Sequence, residues 1–314
     1  MPAIPIMADG LPPRFIELLG SDLEIHAWDE HPLDSLRARI EALITYGHPR
    51  VDGPLLDRFP RLRVVSNHGV GVDHIDVPAA QQRNIPVGNT PGCLDQATAD
   101  MTMALMLAVA RNIAVGDRFA RSPEFTHYDP AILIGKEVSG STLGIVGLGR
   151  IGKQVARRAL SFDMTVLYHN RHRDAEAEKT LGVSYVSFKE LLAQSDFVSL
   201  NCPLTPETTH LISHREFELM MRDAMLINMA RGPVVDTQAL YEALANKRIA
   251  GAGLDVTDPE PLPRDHPLLK LSNVVIAPHL GSATDRTRRR MMEMTIENLR
   301  AGLDGRDLPY RVRR

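Results

Sequence analysis

Cysteine is scarce: the 314 residues contain two, Cys93 and Cys202. Two thiols cannot build a disulfide framework or a thiolate metal centre, so no metal site is expected and a reducing cytoplasm is the expected compartment. Long apolar runs are also missing. The longest, Met103 to Ala110, falls far short of the roughly 20 residues needed to span a bilayer, so no membrane partner is expected. No charge of one sign dominates: 36 Lys and Arg against 39 Asp and Glu leave a formal charge of −3. That balance offers no electrostatic reason to expect nucleic acid as a partner. The N-terminus lacks the basic lead of a targeting segment, since Arg14 is its first basic residue and Pro2 and Pro5 interrupt the apolar stretch. There is no H-E-x-x-H, and Ser141 in Gly140-Ser141-Thr142-Leu143-Gly144 is misplaced for a nucleophile elbow, so neither a zinc nor a serine hydrolase is supported.

What is present is a βα rhythm, repeated twice. The chain is 44% hydrophobic and 24% charged, and its length allows two domains. Strand patterns at Ala3–Met7, Glu24–Ala27, Ala42–Tyr46, Val64–Asn67 and Ile85–Val87 alternate with helical ones such as Pro13–Leu19 and Pro78–Arg83. Such alternation predicts an α/β unit with a parallel sheet. Asp95 to Ile113 reads as one long helix, with Ala99, Met103, Met106, Leu107 and Ala110 on an apolar stripe that fits a core. From Ser141 the rhythm restarts. Six strands are expected, at Leu143–Gly147, Met164–Tyr168, Phe197–Leu200, Met225–Met229, Ala252–Val256 and Val274–Ala277, which predicts a doubly wound Rossmann domain. A last helix, Asp285–Leu303, has the length to return to the first unit. The expected domains are therefore residues 1–98 with 280–314, discontinuous, and residues 99–279.

Gly147, Gly149 and Gly152 have the G-x-G-x-x-G spacing between a strand and a helix. The first glycine serves a tight turn, the second lets backbone approach a pyrophosphate, and the third lets helix pack closely on strand. Arg150 and Ile151 open that helix, whose free N–H groups favour phosphate. About twenty residues on, an NAD-preferring domain carries Asp or Glu for the ribose diol. Here the stretch is Tyr168-His169-Asn170-Arg171-His172-Arg173, with no acid before Asp174. A guanidinium can pair with a 2′-phosphate where a carboxylate would repel it. NADP(H) is therefore the expected cofactor, with NAD(H) possible; Arg171 is the first candidate, Asn170 lies beside it, and Arg173 is second. A solvated basic turn is the alternative.

Three more segments end strands of the same domain: Leu226 to Asp236, Gly251 to Pro261 and Asn273 to Thr284. With the glycine loop they resemble the D-isomer-specific 2-hydroxyacid dehydrogenase family. Asn67 to Asp76 is similar to that family's substrate loop, Asn89-Thr90-Pro91-Gly92 to the entry of its interdomain helix, and Cys202 to Thr208 to its loop near the nicotinamide. The resemblance implies a Rossmann cofactor domain, a flavodoxin-like substrate domain, and Arg231, Glu260 and His279 as catalytic residues. His279 would donate a proton to a keto oxygen, Glu260 would orient and favour the charged ring, and Arg231 would hold the substrate carboxylate. Backbone N–H groups around Val70 and Gly71 would bind that carboxylate from the substrate domain, with hinged closure completing the site. The same resemblance assigns Cys202, Pro203, Thr208, Met229, Ala230, Asp255 and Gly281 to the cofactor. For Asp255 a strand-end cap is the rival role, while His68 and Asp236 read as packing and turn residues.

Formate dehydrogenases of this family carry glutamine where Glu260 stands, so the acid favours keto-acid chemistry. The Tyr168–Arg171 stretch, without an appended regulatory domain, is most similar to NADPH-linked glyoxylate/hydroxypyruvate reductases. A 2-ketogluconate or broad 2-keto-acid reductase is the alternative. A nicotinamide-sensing regulatory protein on the same fold is the rival of another class. The resemblance also implies a homodimer, with an arm from Asp117 to Val138. Phe125 stands about where many relatives have tryptophan; the chain's one Trp is Trp28. Arg286 and Arg288 to Arg290 read as a charged helix face, and Arg311, Arg313 and Arg314 as a frayed basic terminus.

Overall fold

Short buried strands alternating with helices form two parallel sheets in the computed structural model, which describes residues 3–29 and 31–313. The chain divides into two compact units, Met1–Leu94 with Thr284–Arg314, and Asp95–Ala283. Both boundaries fall at the starts of helices, so the long helix from Asp95 belongs whole to the second unit.

In the first unit, β1 (Ile4–Ala8), β2 (Leu23–Ala27), β3 (Ala42–Thr45), β4 (Val64–Asn67) and β5 (Val87–Gly88) lie in the order β2-β1-β3-β4-β5. That is the flavodoxin-like order. Every residue of β3 and β4 is buried, because helices cover both faces. Met7, Leu43, Val65 and Val87 pack on one face; Ile6, Ile44 and Val64 meet Met292 and Leu299 of the helix Asp285–Leu303 on the other. That helix approaches the sheet closely, since a Cβ on Gly302 would lie 2.4 Å from Val64. Its outer face carries Arg289–Glu293 and Arg290–Glu297 ion pairs, of little energetic weight at such exposure.

The basic terminus is not frayed over the described residues. Arg311 forms an antiparallel bridge to Gly88, and Val312 N donates to Val87 O at 2.8 Å. As an edge strand, β5 has backbone groups to satisfy, and the chain end covers them. Arg314 lies outside the described residues.

His68, directly after β4, is buried as a packing residue, with its ring 4.8 Å from Tyr46 in a stacked pair. Burial, and to a lesser degree the charges of Arg288 and His48, pushes its imidazole down to about 3 from 6.5. The unfolded chain therefore binds one more proton than the folded one between those values. Stability rises with pH across that window and is lost as pH falls through it. His68→Phe is expected to flatten the fall in urea stability below pH 6.5 by up to about 1.4 kcal/mol per pH unit. Parallel slopes for the two proteins between pH 4.5 and 6.5 would contradict this.

In the second unit, β6 (Thr142–Val146), β7 (Thr165–His169), β8 (Ser184–Tyr185), β9 (Phe197–Leu200), β10 (Met225–Asn228), β11 (Gly251–Leu254) and β12 (Val274–Ile276) lie in the order β12-β11-β10-β9-β6-β7-β8. All neighbours are parallel. This is the doubly wound order with the switch point between β6 and β9. The two-residue edge strand β8, reached through the helix Ala175–Leu181, makes seven strands in place of the six expected. Helices Asp95–Ala110 and Arg150–Leu160 pack on one face through Met103, Met106, Val155 and Ala159, and Leu191, Phe217, Leu240 and Leu244 fill the other.

The long helix stops at Ala110 rather than Ile113. Asn112 adopts φ +53°, a left-handed conformation that asparagine tolerates better than most residues, and a new helix runs from Ile113 to Ala120 at 61° to the first. Among the described residues no single helix is long and apolar enough to cross a membrane, although this bent pair passes by length and composition.

Candidate active site

The glycine loop joins β6 to the helix Arg150–Leu160 at the switch point. Its glycines do three different things. Gly147 has φ +97°, and a Cβ there would lie 2.7 Å from Cys202 N, so turn and close approach both demand glycine. A Cβ on Gly152 would lie 2.4 Å from Gly147 O, which is the helix-on-strand contact. A Cβ on Gly149 would meet nothing within 4 Å, so the protein's own packing does not require glycine there. Gly149 is also the helix N-cap without a side-chain cap, which leaves the first N–H groups to an outside acceptor. Open space at bare N–H donors fits a pyrophosphate. Arg150 pairs with Asp95 at 3.0 Å, and Ile151 packs against the core.

The turn after β7 is tied to this loop, because Asn170 Oδ1 accepts from Leu148 N at 2.6 Å. Tyr168 hydroxyl donates to Glu178 at 2.8 Å and accepts from Asp174 N at 2.8 Å. Burial, with the Glu178 hydrogen bond, holds that phenol above its ordinary range. Arg173 forks onto the same Glu178, Nε to Oε1 at 2.7 Å and Nη2 to Oε2 at 2.5 Å. The second phosphate candidate is therefore already engaged. Arg171 is exposed, with the carboxylate of Glu207 as an electrostatic neighbour.

Beyond β9, Cys202 is largely buried, which pushes its thiol up to about 11. It stays protonated and non-nucleophilic at neutral pH. The following loop is closed by Thr208, whose hydroxyl donates to Pro203 O at 2.7 Å and accepts from Thr205 N at 2.8 Å.

At the end of β10, Asn228 accepts from Ala230 N at 3.0 Å and donates to Arg231 O at 3.0 Å. This side chain shapes the turn that carries buried Met229 and Ala230 and presents Arg231. Sequence patterns assign it no role; the one available signal is an asparagine closing an apolar strand. Arg231 Nη1 donates to Ala230 O at 2.9 Å. The next residue, Gly232, lets this segment meet the one after β11: a Cβ there would lie 1.9 Å from Thr257 O.

Asp255 ends β11's run and is 2% exposed. Its two oxygens accept from Leu280 N at 2.6 Å and Gly281 N at 2.8 Å. Burial raises its carboxyl above the usual range, against the opposite pull of those two donors. It acts as a strand-end cap that pins the loop after β12. Gly281 packs near Met229 and Thr98, where a Cβ would lie 3.3 and 3.4 Å away. Asp236 caps the helix Thr237–Ala245, accepting from Gln238 N and Ala239 N at 3.1 Å.

His279 lies on the pinned loop with φ +56°, and its N–H donates to Asp255 O at 2.9 Å. Its Nδ1 meets Glu260 Oε1 at 2.8 Å, with both side chains partly exposed. A histidine held at Nδ1 by a carboxylate presents Nε2 outward as a proton donor. This pair and the glycine loop stand at the same, C-terminal edge of one sheet, where open α/β sheets take their ligands. Val70 and Gly71 lie in the first unit, in the loop after β4.

A profile described as D-isomer specific 2-hydroxyacid dehydrogenase, NAD binding domain, matches residues 103–281. The chain belongs to the D-isomer-specific 2-hydroxyacid dehydrogenase family. It is an oxidoreductase with an NAD-binding domain. Among similar proteins, the glyoxylate reductase of Korarchaeum cryptofilum is 46% identical over 296 residues, covering 92% of this chain and 89% of the relative. Among solved structures, the TT0316 protein of Thermus thermophilus superposes with a TM-score of 0.89 at 45% identity, covering 98% of this dehydrogenase and all of that chain. The NADPH-dependent glyoxylate/hydroxypyruvate reductase of Sinorhizobium meliloti, solved with NADP and malonate, gives 0.90 at 31% identity, covering 98% and 96%. The dehydrogenase thus shares its fold with each over nearly its whole length.

Proposed function

We propose that this dehydrogenase reduces glyoxylate and hydroxypyruvate to their 2-hydroxy acids, in the D configuration where the product is chiral, with NADPH as reductant. The 2.8 Å pairing of His279 with Glu260 carries the reading. Reduction places a hydride on the carbonyl carbon and a proton on its oxygen. His279 gives that proton from Nε2 while Glu260 holds the ring and favours its charged form. Arg231 takes the carboxylate through its guanidinium and polarises the neighbouring carbonyl. In the first unit, the Val70 and Gly71 N–H groups bind a substrate carboxylate. The bound dinucleotide supplies the hydride.

Gly147, Gly149, Arg150, Ile151 and Gly152 form the pyrophosphate seat, and Cys202, Pro203, Thr208, Met229, Ala230 and Gly281 surround the nicotinamide end, with buried Asp255 holding the Gly281 loop behind it. Arg171, with Asn170 beside it, selects the 2′-phosphate. The names of the Korarchaeum and Sinorhizobium relatives support these substrates, and the second supports NADPH. The dehydrogenase acts as a cytoplasmic homodimer through the arm from Asp117 to Val138, where Tyr128 and Ile134 are 81% and 77% exposed.

A steady-state panel of glyoxylate, hydroxypyruvate, 2-ketogluconate, pyruvate and phenylpyruvate with each cofactor tests the reading. Highest kcat/KM on glyoxylate or hydroxypyruvate with NADPH supports it; a preference for 2-ketogluconate, or no turnover, overturns it. Arg171→Ala is expected to lower the NADPH/NADH ratio of kcat/KM by about ten- to a hundredfold, the worth of a charge-assisted hydrogen bond. An unchanged ratio removes Arg171 from cofactor selection.

A further inference from the structure

In the loop after β4, three consecutive carbonyls are each caught by an asparagine amide. Asn67 Nδ2 donates to Gly69 O at 3.0 Å and to Gly71 O at 2.8 Å. Asn89 Nδ2 donates to Val70 O, the carbonyl between them, at 2.9 Å. In a trans peptide the carbonyl of one residue and the N–H of the next point in opposite directions. Holding these three carbonyls against the asparagines therefore turns the N–H groups of Val70, Gly71 and Val72 the other way. Among the described residues none of the three donates to a backbone carbonyl. Successive N–H groups left in this way form a concavity suited to an anion.

The two amides are themselves held. Asn67 is fully buried, and its Oδ1 accepts from Thr45 hydroxyl at 2.8 Å, which aims its nitrogen at the loop. Thr45 Oγ1 in turn lies 3.4 Å from His74 Nε2. Asn89 is anchored through its backbone, N–H to Tyr310 O at 3.0 Å and carbonyl from Asn298 Nδ2 at 3.0 Å.

We infer that Asn67 and Asn89 are positioning residues that hold this loop as a receptor for the carboxylate common to all 2-keto acids. The inference rests on the function proposed above. Neither side chain touches the substrate; each acts through the carbonyl it holds. Loosening the loop weakens carboxylate capture whatever the substrate's other end carries, and leaves the dinucleotide seat in the second unit alone.

Asn67→Leu and Asn89→Leu remove the donors without adding charge or much volume. In the full-length protein, KM is expected to rise about ten- to a hundredfold, as for a misplaced binding group, and by a common factor for glyoxylate, hydroxypyruvate and pyruvate. NADPH affinity, followed by cofactor fluorescence, should be unchanged and kcat should fall by less than KM rises. Unchanged KM in both variants overturns the inference, as does a parallel loss of kcat, NADPH affinity and melting temperature. Should Asn67→Leu not fold, Asn89→Leu decides alone. A wild-type enzyme that reduces no 2-keto acid would instead refute the underlying function, and that result precedes any variant.

Discussion

His279→Ala is expected to lower kcat for 2-keto-acid reduction by about 10²- to 10⁴-fold, the usual worth of a placed general acid, while NADPH still binds. The geometry separates the two effects. The imidazole is held at Nδ1 by Glu260 at 2.8 Å, but the loop that carries it is pinned through backbone: Asp255 accepts from Leu280 N and Gly281 N, and His279 N–H itself donates to Asp255 O. Removing the ring leaves those main-chain bonds in place. The backbone at φ +56° is left-handed, which histidine tolerates better than alanine, so the substitution adds some local strain that the main-chain bonds must hold. Single-turnover reduction with saturating NADPH, beside a fluorescence titration of the cofactor, measures both. If NADPH affinity is lost together with kcat, His279 is a structural residue of the cofactor seat and not the proton donor.

Gly152→Ala should damage both stability and cofactor binding. One added carbon would sit 2.4 Å from Gly147 O and 3.3 Å from Ile145, and the first of these is main chain that cannot rotate aside. Helix and strand must therefore separate just where the loop presents its N–H groups. Overpacking of this kind costs about 1–3 kcal/mol of stability. Displacing the phosphate donors by about 1 Å is expected to cost a further hundredfold in kcat/KM for NADPH. Gly149→Ala makes the informative comparison, because its Cβ meets no protein atom within 4 Å. It should leave urea stability nearly intact and still weaken NADPH, through the space the cofactor needs. Equal stability losses in the two variants would deny the distinction between them.

Much of the fold could be read from residue order alone. The βα rhythm is a repeated switch between short apolar runs and helical periodicity, and buried parallel strands need no more than that to be recognised. The glycine spacing, the missing acid after Tyr168, and the segments that contain Arg231, Glu260 and His279 are likewise local patterns. They locate the strand ends and the family before any contact is known. The break at Asn112 is less visible, since the apolar stripe runs across it and a left-handed asparagine carries no periodic signal. The pairing of Arg311 and Val312 with the β5 segment is hidden for another reason: a basic chain end looks solvated until the edge strand it covers is known.

Side-chain assignments needed the folded chain, because they depend on partners far apart in sequence. Asn170 supports the glycine loop through Leu148 N, and Asp255 holds the loop of His279 through Leu280 and Gly281. Arg171 ranks ahead of Arg173 in the sequence, but no letter shows what either guanidinium already holds. The fork from Arg173 onto Glu178 shows one of the two already holding a carboxylate. The same holds for Gly149 and Gly152, which share a motif but differ in whether protein atoms or open space surround them. Periodicity and turn chemistry are short-range and survive in the sequence as patterns. Which donor meets which acceptor is set by packing, and the chain reveals it only when the strands are side by side.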